Sequence, residues 1–140
     1  MDTETQAAAE LLETSRTIAI VGFSANPDKA AHRASMYLVR RGWNVIPVNP
    51  TIDEVAGLRA YPTLADVPVP IDLVDVFRPA AETAGIAREA VAAGASAIWL
   101  QLGITSEEAR AVATEGGLGY VEDLCAGALA ERLDLTPPAE

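Results

Sequence analysis

Residues that could build a metal or redox centre are nearly missing from this sequence. It contains one cysteine, and its one histidine is His32. A single cysteine excludes an internal disulfide and a cysteine-based metal site, and a single histidine excludes a histidine-rich centre. The sequence also has no P-loop, no Ser-His-Asp set and no cluster of metal ligands. We therefore expect neither catalytic residues nor a bound metal.

Basic residues are scarce as well. Ten lysines and arginines face twenty aspartates and glutamates, so the formal charge is −10. Nucleic acids and anionic membranes bind basic surfaces, and we expect neither as a partner. The apolar runs fall short of the roughly 20 residues that cross a bilayer. The polar, acidic N-terminus is unlike a secretory signal. These observations favour a cytoplasmic protein.

Half of the residues are apolar, which provides a core for one domain over residues 1–140. A helix is predicted over about 3–15, and alternating strands and helices over about 17–133. The strands are predicted at 17–23, 44–48, 71–77, 96–102 and 119–123. The helices between and after them are predicted at about 28–41, 79–93, 106–115 and 126–133. Residues 51–68 read as irregular, with a short helical turn near 63–66.

This alternation predicts a single Rossmann-like α/β domain. We expect a five-stranded, mainly parallel sheet in the order 3-2-1-4-5, with helices on both faces. Pro47 removes a ladder donor and indicates a strand end or bulge. The helix over 3–15 could pack on a second copy, which would make the protein a homodimer.

The junction after the first strand is the most informative feature of the chain. The apolar run Thr17–Val21 stops at Gly22, and a polar loop then leads to a helix. In a parallel sheet this junction aims backbone N–H groups at one point, which suits a phosphate. A dinucleotide fingerprint starting at Gly22 would need glycines where Ser24 and Pro27 stand. NAD is therefore not the expected ligand.

Several side chains near the predicted strand ends each have two interpretations, one as a ligand contact and one as a purely structural residue. Ser24 could donate to a phosphate or cap the chain locally. Lys29 and Arg33, at i and i+4, could share a phosphate-binding face or simply be solvated. Asn49 stands where NAD enzymes carry a carboxylate, but Asn-Pro is also a common turn. Arg78 lies at a helix start against the helix dipole, which suggests an anionic partner.

Five segments together carry a resemblance to a known family. They are Ile20-Val-Gly-Phe-Ser-Ala-Asn-Pro-Asp28, Val45-Ile-Pro-Val-Asn-Pro50, Val74-Asp-Val-Phe-Arg78, Trp99-Leu-Gln-Leu-Gly103 and Glu122-Asp-Leu-Cys125. In order and spacing they resemble the CoA-binding domain family. The resemblance is to its stand-alone bacterial members and to the CoA-binding domain of the succinyl-CoA synthetase α subunit.

The resemblance implies coenzyme A, or an acyl-CoA, lying across the strand ends. The loop of Gly22, Phe23 and Ser24 would approach the pyrophosphate. The adenosine part of the ligand would be bordered by Val48, Asn49 and Pro50. The other side of the ligand would be flanked by Val76, Phe77 and Arg78. Gln101, Leu102 and Gly103 would lie toward the pantetheine arm. Cys125 occupies the place of a cysteine in the synthetase subunit, although its neighbours differ here.

Three functions remain open at this stage. The first is non-catalytic binding of coenzyme A or an acyl-CoA. The second is a subunit or relic of an acyl-CoA ligase. The third is a module that senses NAD or another nucleotide.

Overall fold

The alternation of strands and helices is present in the computed structural model, which describes residues 1–139. In chain order the elements are α1 (Thr3–Thr14), β1 (Thr17–Val21), α2 (Ala30–Arg40), β2 (Asn44–Val48), β3 (Glu54–Val55), β4 (Leu58–Arg59), β5 (Leu73–Val76), α3 (Ala80–Ala92), β6 (Ala97–Leu100), α4 (Glu107–Glu115), β7 (Gly119–Val121) and α5 (Ala126–Arg132). A 3-10 turn at Leu64–Asp66 lies between β4 and β5.

Five of these strands form one parallel sheet in the order β2-β1-β5-β6-β7. The predicted α/β class with a five-stranded parallel sheet is confirmed. One strand lies elsewhere in the sheet than the order 3-2-1-4-5 placed it. The third long strand, β5, pairs with β1 on the side away from β2, so the five long strands run 2-1-3-4-5.

Pro47 explains why β2 lies at the edge. Its carbonyl accepts a hydrogen bond from Tyr61 N at 3.0 Å, on the side of β2 that faces away from β1. A residue's N–H and C=O point to the same side of a strand, so the missing proline donor is also on that outer side. A full strand pairing there would lose one ladder bond, and proline is accordingly confined to edge strands. On the outer side of β2, within residues 1–139, one bridge is present, between Val48 and Tyr61.

Helices cover both faces of the sheet. Strand residues such as Ile18, Ile20 and Trp99 pack in one core with residues of α1, α2 and α5. Strand residues that point to the other face of the sheet, such as Val74 and Ile98, pack with α3 and α4. The apolar residues of α1 lie within the first of these cores.

The segment predicted as irregular contains a small hairpin that the sequence analysis missed. β3 and β4 pair antiparallel around Ala56 and Gly57, whose φ angles are +52° and +78°. Two positive φ angles are the signature of a tight two-residue hairpin turn. Because each strand has only two residues, no apolar alternation was there to reveal it.

Within residues 1–139, we find no helix with the length and apolar character needed to cross a membrane.

The contact between α2 and α5 depends on Gly127. A Cβ atom there would lie 2.5 Å from the backbone oxygen of Ala34. We expect Gly127→Ala to destabilise the protein by about 1–3 kcal/mol, because the two helices must move apart. Gly85→Ala is the matched control, since Gly85 lies in α3 with nothing within 4 Å of the added atom. That change should stabilise by about 0.5–1 kcal/mol. Urea unfolding measures both, and equal effects would contradict this account of the packing.

Candidate functional site

Four loops meet at the carboxyl edge of the sheet, and hydrogen bonds fix their positions. Gly22 N donates to Val48 O at 2.9 Å, and Phe77 N donates to Val21 O at 2.9 Å. On the far side, Gln101 N donates to Val76 O at 3.2 Å. The ends of β2, β1, β5 and β6 are thus linked in sequence across the sheet. This edge is the location that the sequence predicted for the ligand.

Gly22 lies at the tightest point of this edge. Its φ is +88°, and an added Cβ would lie 2.8 Å from Phe77 O and 3.1 Å from Arg78 Cδ. Both the backbone conformation and the space therefore require glycine here. The requirement arises from the neighbouring strand end, whatever else the loop binds.

The loop after Gly22 and the start of α2 present unpaired donors. Within residues 1–139, the N–H groups of Phe23, Ser24, Ala25, Ala30 and Ala31 donate to no protein oxygen. The residue that precedes the helix, a lysine, supplies no side-chain cap. Such donors at a helix N-terminus, together with the helix dipole, favour an anion.

The side chains of this loop mostly bond locally. Ser24 Oγ accepts from Asn26 N at 3.1 Å, which is the local cap considered in the sequence analysis. His32 Nδ1 donates to Ser24 O at 2.8 Å, and the edge of its ring packs on Phe23, which is fully buried. The loop is therefore held in place by the buried Phe23 ring and by the hydrogen bond from His32.

Lys29 immediately precedes α2 and Arg33 lies in its first turn, and both are exposed. The Arg33 guanidinium donates to the backbone oxygen of Asp28 through Nη1. Within the described residues, Lys29 makes no ion pair with a carboxylate. Both cations therefore border the unpaired N–H groups.

Asn49 connects two of the loops. Its Nδ2 donates to Phe23 O at 3.0 Å, and its Oδ1 accepts from the Thr51 N–H at 2.9 Å and the Thr51 hydroxyl at 2.7 Å. An aspartate could not donate to the Phe23 carbonyl. The amide thus has a structural role at the position where NAD enzymes place an acid.

A cleft of about 370 Å³ opens between the ends of β1 and β2 and the start of α3. It brings together five of the residues chosen from the sequence: Gly22, Val48, Asn49, Pro50 and Arg78. It also contains residues that the sequence analysis missed, among them Thr51, Leu64 and Ile86. Thr51 and Leu64 lie in the segment predicted to be irregular. Ile86 lies in α3, and the sequence alone does not show that this helix borders the sheet edge.

The cation expected beside this cleft already has a partner. Arg78 Nη2 lies 2.8 Å from Glu82 Oε2, and Arg78 Nε lies 3.1 Å from Glu82 Oε1. Both side chains are about half exposed, at 46% and 48%. The anionic partner that the helix dipole suggested is therefore a residue of the chain itself in this structure.

The remaining candidates divide between interior and surface. Val76 is fully buried, and Phe77 is half-buried. Gln101 is buried and donates to Asp75 rather than facing the cleft. Leu102 is 70% exposed, and Gly103, at φ +84°, donates to Asp123 Oδ1 at 2.7 Å. Cys125 is half-buried, and its sulfur accepts from Ala128 N.

Comparison with known proteins identifies the family. The CoA binding domain matches residues 16–131, which is most of the chain. This protein belongs to the CoA-binding domain family. The resemblance found in the sequence is thereby confirmed, and the membership covers every strand of the parallel sheet.

Relatives of the CoA-binding domain family are similar over most of this chain. The uncharacterized protein YneT of Bacillus subtilis (strain 168) is 40% identical over 116 residues, 83% of this chain and 86% of its own. A hypothetical protein from Pyrococcus horikoshii OT3 is 35% identical with a TM-score of 0.88, covering 92% and 91% of the two chains.

A larger enzyme contains a similar domain. The dinucleotide-forming acetyl-coenzyme A synthetase 1 of Ca. Korarchaeum cryptofilum, in complex with phosphate and ADP, is 30% identical with a TM-score of 0.69. The match covers 79% of this chain and 26% of that one. The CoA-binding domain therefore occurs both as most of a small chain and as part of a larger one.

Asn49 offers a test of how the two loops are joined. We expect Asn49→Asp to destabilise the protein by about 1–3 kcal/mol, because the Phe23 carbonyl loses its donor and faces a carboxylate. The amide proton of Gly22, which is bonded to Val48 O beside Asn49, should also exchange faster with solvent. Asn44→Asp, at the exposed opposite end of β2, makes the same chemical change away from the site. Hydrogen exchange and urea unfolding would contradict this role if the two variants behaved alike.

Proposed function

We propose that this protein binds coenzyme A or an acyl-CoA at the carboxyl edge of its sheet, without catalysing a reaction on it. Family membership supports coenzyme A as the ligand. The observation that carries the location is the group of unpaired N–H donors from Phe23, Ser24, Ala25 and the start of α2. These donors form an anion site that needs no basic pocket, which matters in a chain of net charge −10.

In this proposal the pyrophosphate lies at the first loop and the start of α2. Gly22 allows the loop to turn there, and Ser24 borders it. Lys29 and Arg33 contribute positive charge at the same helix end. Charge-assisted hydrogen bonds to phosphate are stronger than neutral ones, and Arg33 can exchange its backbone acceptor for a phosphate oxygen.

The adenosine part fits the cleft between β1, β2 and α3. Its walls include the apolar side chains Val21, Val48 and Ile86, and its rim includes Asn49 and Pro50. Its volume of about 370 Å³ is within the usual range for small-molecule sites. Glu82 and Glu89 also line it, which disfavours a phosphate there and favours a group with N–H donors, such as adenine.

The pantetheine arm would then run past the ends of β5 and β6. Val76 and Phe77 form the base of that path, and Gln101 supports it from within the sheet. Leu102 offers an exposed apolar side chain, and Gly103 leaves the backbone open beside it. Cys125, at the start of α5, lies at the far end of this path and near the ligand thiol.

The similarity to part of an acetyl-coenzyme A synthetase supports a second proposal. In it the chain holds coenzyme A as the small subunit of an acyl-CoA ligase whose catalytic partner is a separate chain. Affinity purification from the native cell, followed by turnover assays with an acyl-CoA and a nucleotide, tests it. The absence of both a partner and turnover would eliminate this alternative.

Isothermal titration calorimetry tests the first proposal. We expect coenzyme A to bind more tightly than NAD, because Asn49 offers no carboxylate for the NAD ribose. Dephospho-CoA should also bind, since the proposed pyrophosphate and adenosine contacts remain. Binding of coenzyme A no tighter than that of NAD would refute the proposal and favour a nucleotide-sensing module.

Variants of α2 locate the phosphate within the same experiment. The double variant Lys29→Gln, Arg33→Gln should bind coenzyme A about tenfold more weakly, or roughly 1.4 kcal/mol. Arg40→Gln removes a cation from the last turn of the same helix and should change the affinity less than twofold. Equal losses would mean that net charge, rather than a site at the helix start, determines the affinity.

The proposed position of Cys125 predicts a mixed disulfide. Treatment with coenzyme A and the oxidant diamide should join the Cys125 sulfur to the ligand sulfur, with both thiols oxidised and diamide reduced. Intact-protein mass spectrometry should then show one adduct of coenzyme A mass, absent from Cys125→Ser. Glutathione at the same concentration is the control thiol. Equal modification by the two thiols would remove the argument for a bound orientation.

A further inference from the structure

The carboxyl group of Asp75 is buried beneath the proposed site and does not line it. Asp75 lies in the middle of β5, in register with Ile20 of β1 and Trp99 of β6. It is 1% exposed, and the Gln101 side chain beside it is 3% exposed. Gln101 Nε2 donates to Asp75 Oδ1. This buried acid–amide pair joins β5 to the end of β6.

One atom of the pair is unsatisfied. Gln101 Oε1 is buried and accepts no hydrogen bond from any group in the described residues. A buried acceptor without a donor is destabilising, and such groups in native proteins call for an explanation. A carboxylate cannot satisfy it, because an ionised acid only accepts. A protonated carboxyl group has the hydroxyl that could.

The surroundings favour the protonated form. Burial raises the pKa of Asp75 to about 7, while hydrogen bonds from Gln101 and from the Val76 backbone oppose that rise. Neighbouring charges do not contribute to it. The titratable and charged residues of the first turns of α1, α2 and α5, of the loop before α5 and of the buried face of α2 are Asp2, Glu4, Lys29, His32, Arg33, Tyr37, Glu122, Asp123 and Cys125. None of them forms a hydrogen bond or ion pair with Asp75.

We infer that Asp75 is a neutral carboxylic acid that donates its hydroxyl to Gln101 Oε1 and accepts from Gln101 Nε2, and that this paired contact holds the end of β6 in place. Gln101 begins the turn that carries Leu102 and Gly103, since Ile104 N donates to Gln101 O at 3.0 Å. Loss of the proton leaves Oε1 unpaired and places a negative charge beneath the edge. Asp75 is thus a positioning residue that acts through Gln101.

A consequence for the ligand rests on the proposed function. An ionised Asp75 adds negative charge below an anionic ligand and loosens the turn at Leu102. Both effects weaken the binding of coenzyme A. Affinity should therefore fall as the pH rises through the pKa of Asp75.

The protonation state can be measured without any ligand. In protein labelled with carbon-13 at the aspartate carboxyl groups, the resonance missing from Asp75→Asn should titrate with a midpoint near 7 rather than near 3.8. A midpoint near 4 would overturn the inference. Assigning the same resonance through its bonded neighbours in the wild-type chain keeps the titration decisive even if the variant folds poorly.

The pH dependence of folding stability provides a second test of the protonation state of Asp75. The folded state binds the proton more tightly than the unfolded state, so stability falls as the pH rises between about 4 and about 7. Asparagine reproduces both hydrogen bonds of the neutral acid and does not titrate. The ratio of unfolding constants, wild type over Asp75→Asn, should rise about tenfold per pH unit from pH 5.5 toward 7 and then level off. A ratio for Asp75→Asn that does not change with pH would contradict the inference.

Hydrogen exchange and calorimetry test the link to the site. After correction for intrinsic rates, the amide of Ile104 should lose protection above pH 7 in wild type but not in Asp75→Asn. Between pH 6 and 8.5, the affinity for coenzyme A should fall about fivefold more in wild type than in the variant. His32→Gln should keep the wild-type pattern, which separates Asp75 from the imidazole. If coenzyme A fails to bind at all, the proposed function fails, while the carboxyl titration still decides the state of Asp75.

Discussion

The structure of this edge depends on the close approach of two strand ends, Gly22 of the first loop and Phe77 after β5. The backbone of Gly22 turns with a positive φ against the Phe77 carbonyl, where no side chain fits. This turn allows the chain to leave β1 and begin α2 directly over the sheet. The direction of α2, the unpaired N–H groups of the loop and the opening of the cleft all lie next to this turn. The tight backbone turn and the proposed anion site therefore depend on one geometric requirement.

If the proposed function is right, this edge is where a chain with few cations offers a site for a highly charged ligand. Backbone N–H groups carry no net charge and cost nothing in repulsion when the site is empty. They become favourable only where an anion meets several at once. The formal charge of −10 would repel a polyanion wherever such donors are missing. Asn49 stands at the place of an acid and bonds to the loop carbonyl itself, which in the proposed function disfavours NAD.

Sequence reasoning succeeded where one local signal determines one element. Apolar runs bounded by glycine or proline gave the five long strands, and the Pro79 and Gly94 signals bounded α3 to within a residue. The position of β5 depends instead on which side of β1 the chain returns to, and residues 51–68 contain no α-helix that would fix that choice. Pro47 did carry the relevant signal, because its missing donor marks an edge strand. For the candidate site, the backbone positions were accessible from motifs, whereas the partners of Arg78 and Gln101 arise only from folding.

Asp75 shows why such side-chain partners cannot be predicted from the sequence alone. Asp72 and Asp75 lie three residues apart, and the structure gives their carboxyl groups different roles. Asp72 accepts from the N–H groups of Arg16 and Thr17 at the rim of the sheet, where a charge is easily solvated. Asp75 lies between Ile20 and Trp99, where burial penalises a charge and leaves a neutral acid with a hydroxyl to donate. Two acids three residues apart therefore have opposite roles: Asp72 accepts hydrogen bonds, and Asp75 donates one. Because it bonds to the residue that begins the β6 turn, the interior of the sheet and the proposed ligand edge respond to the same proton.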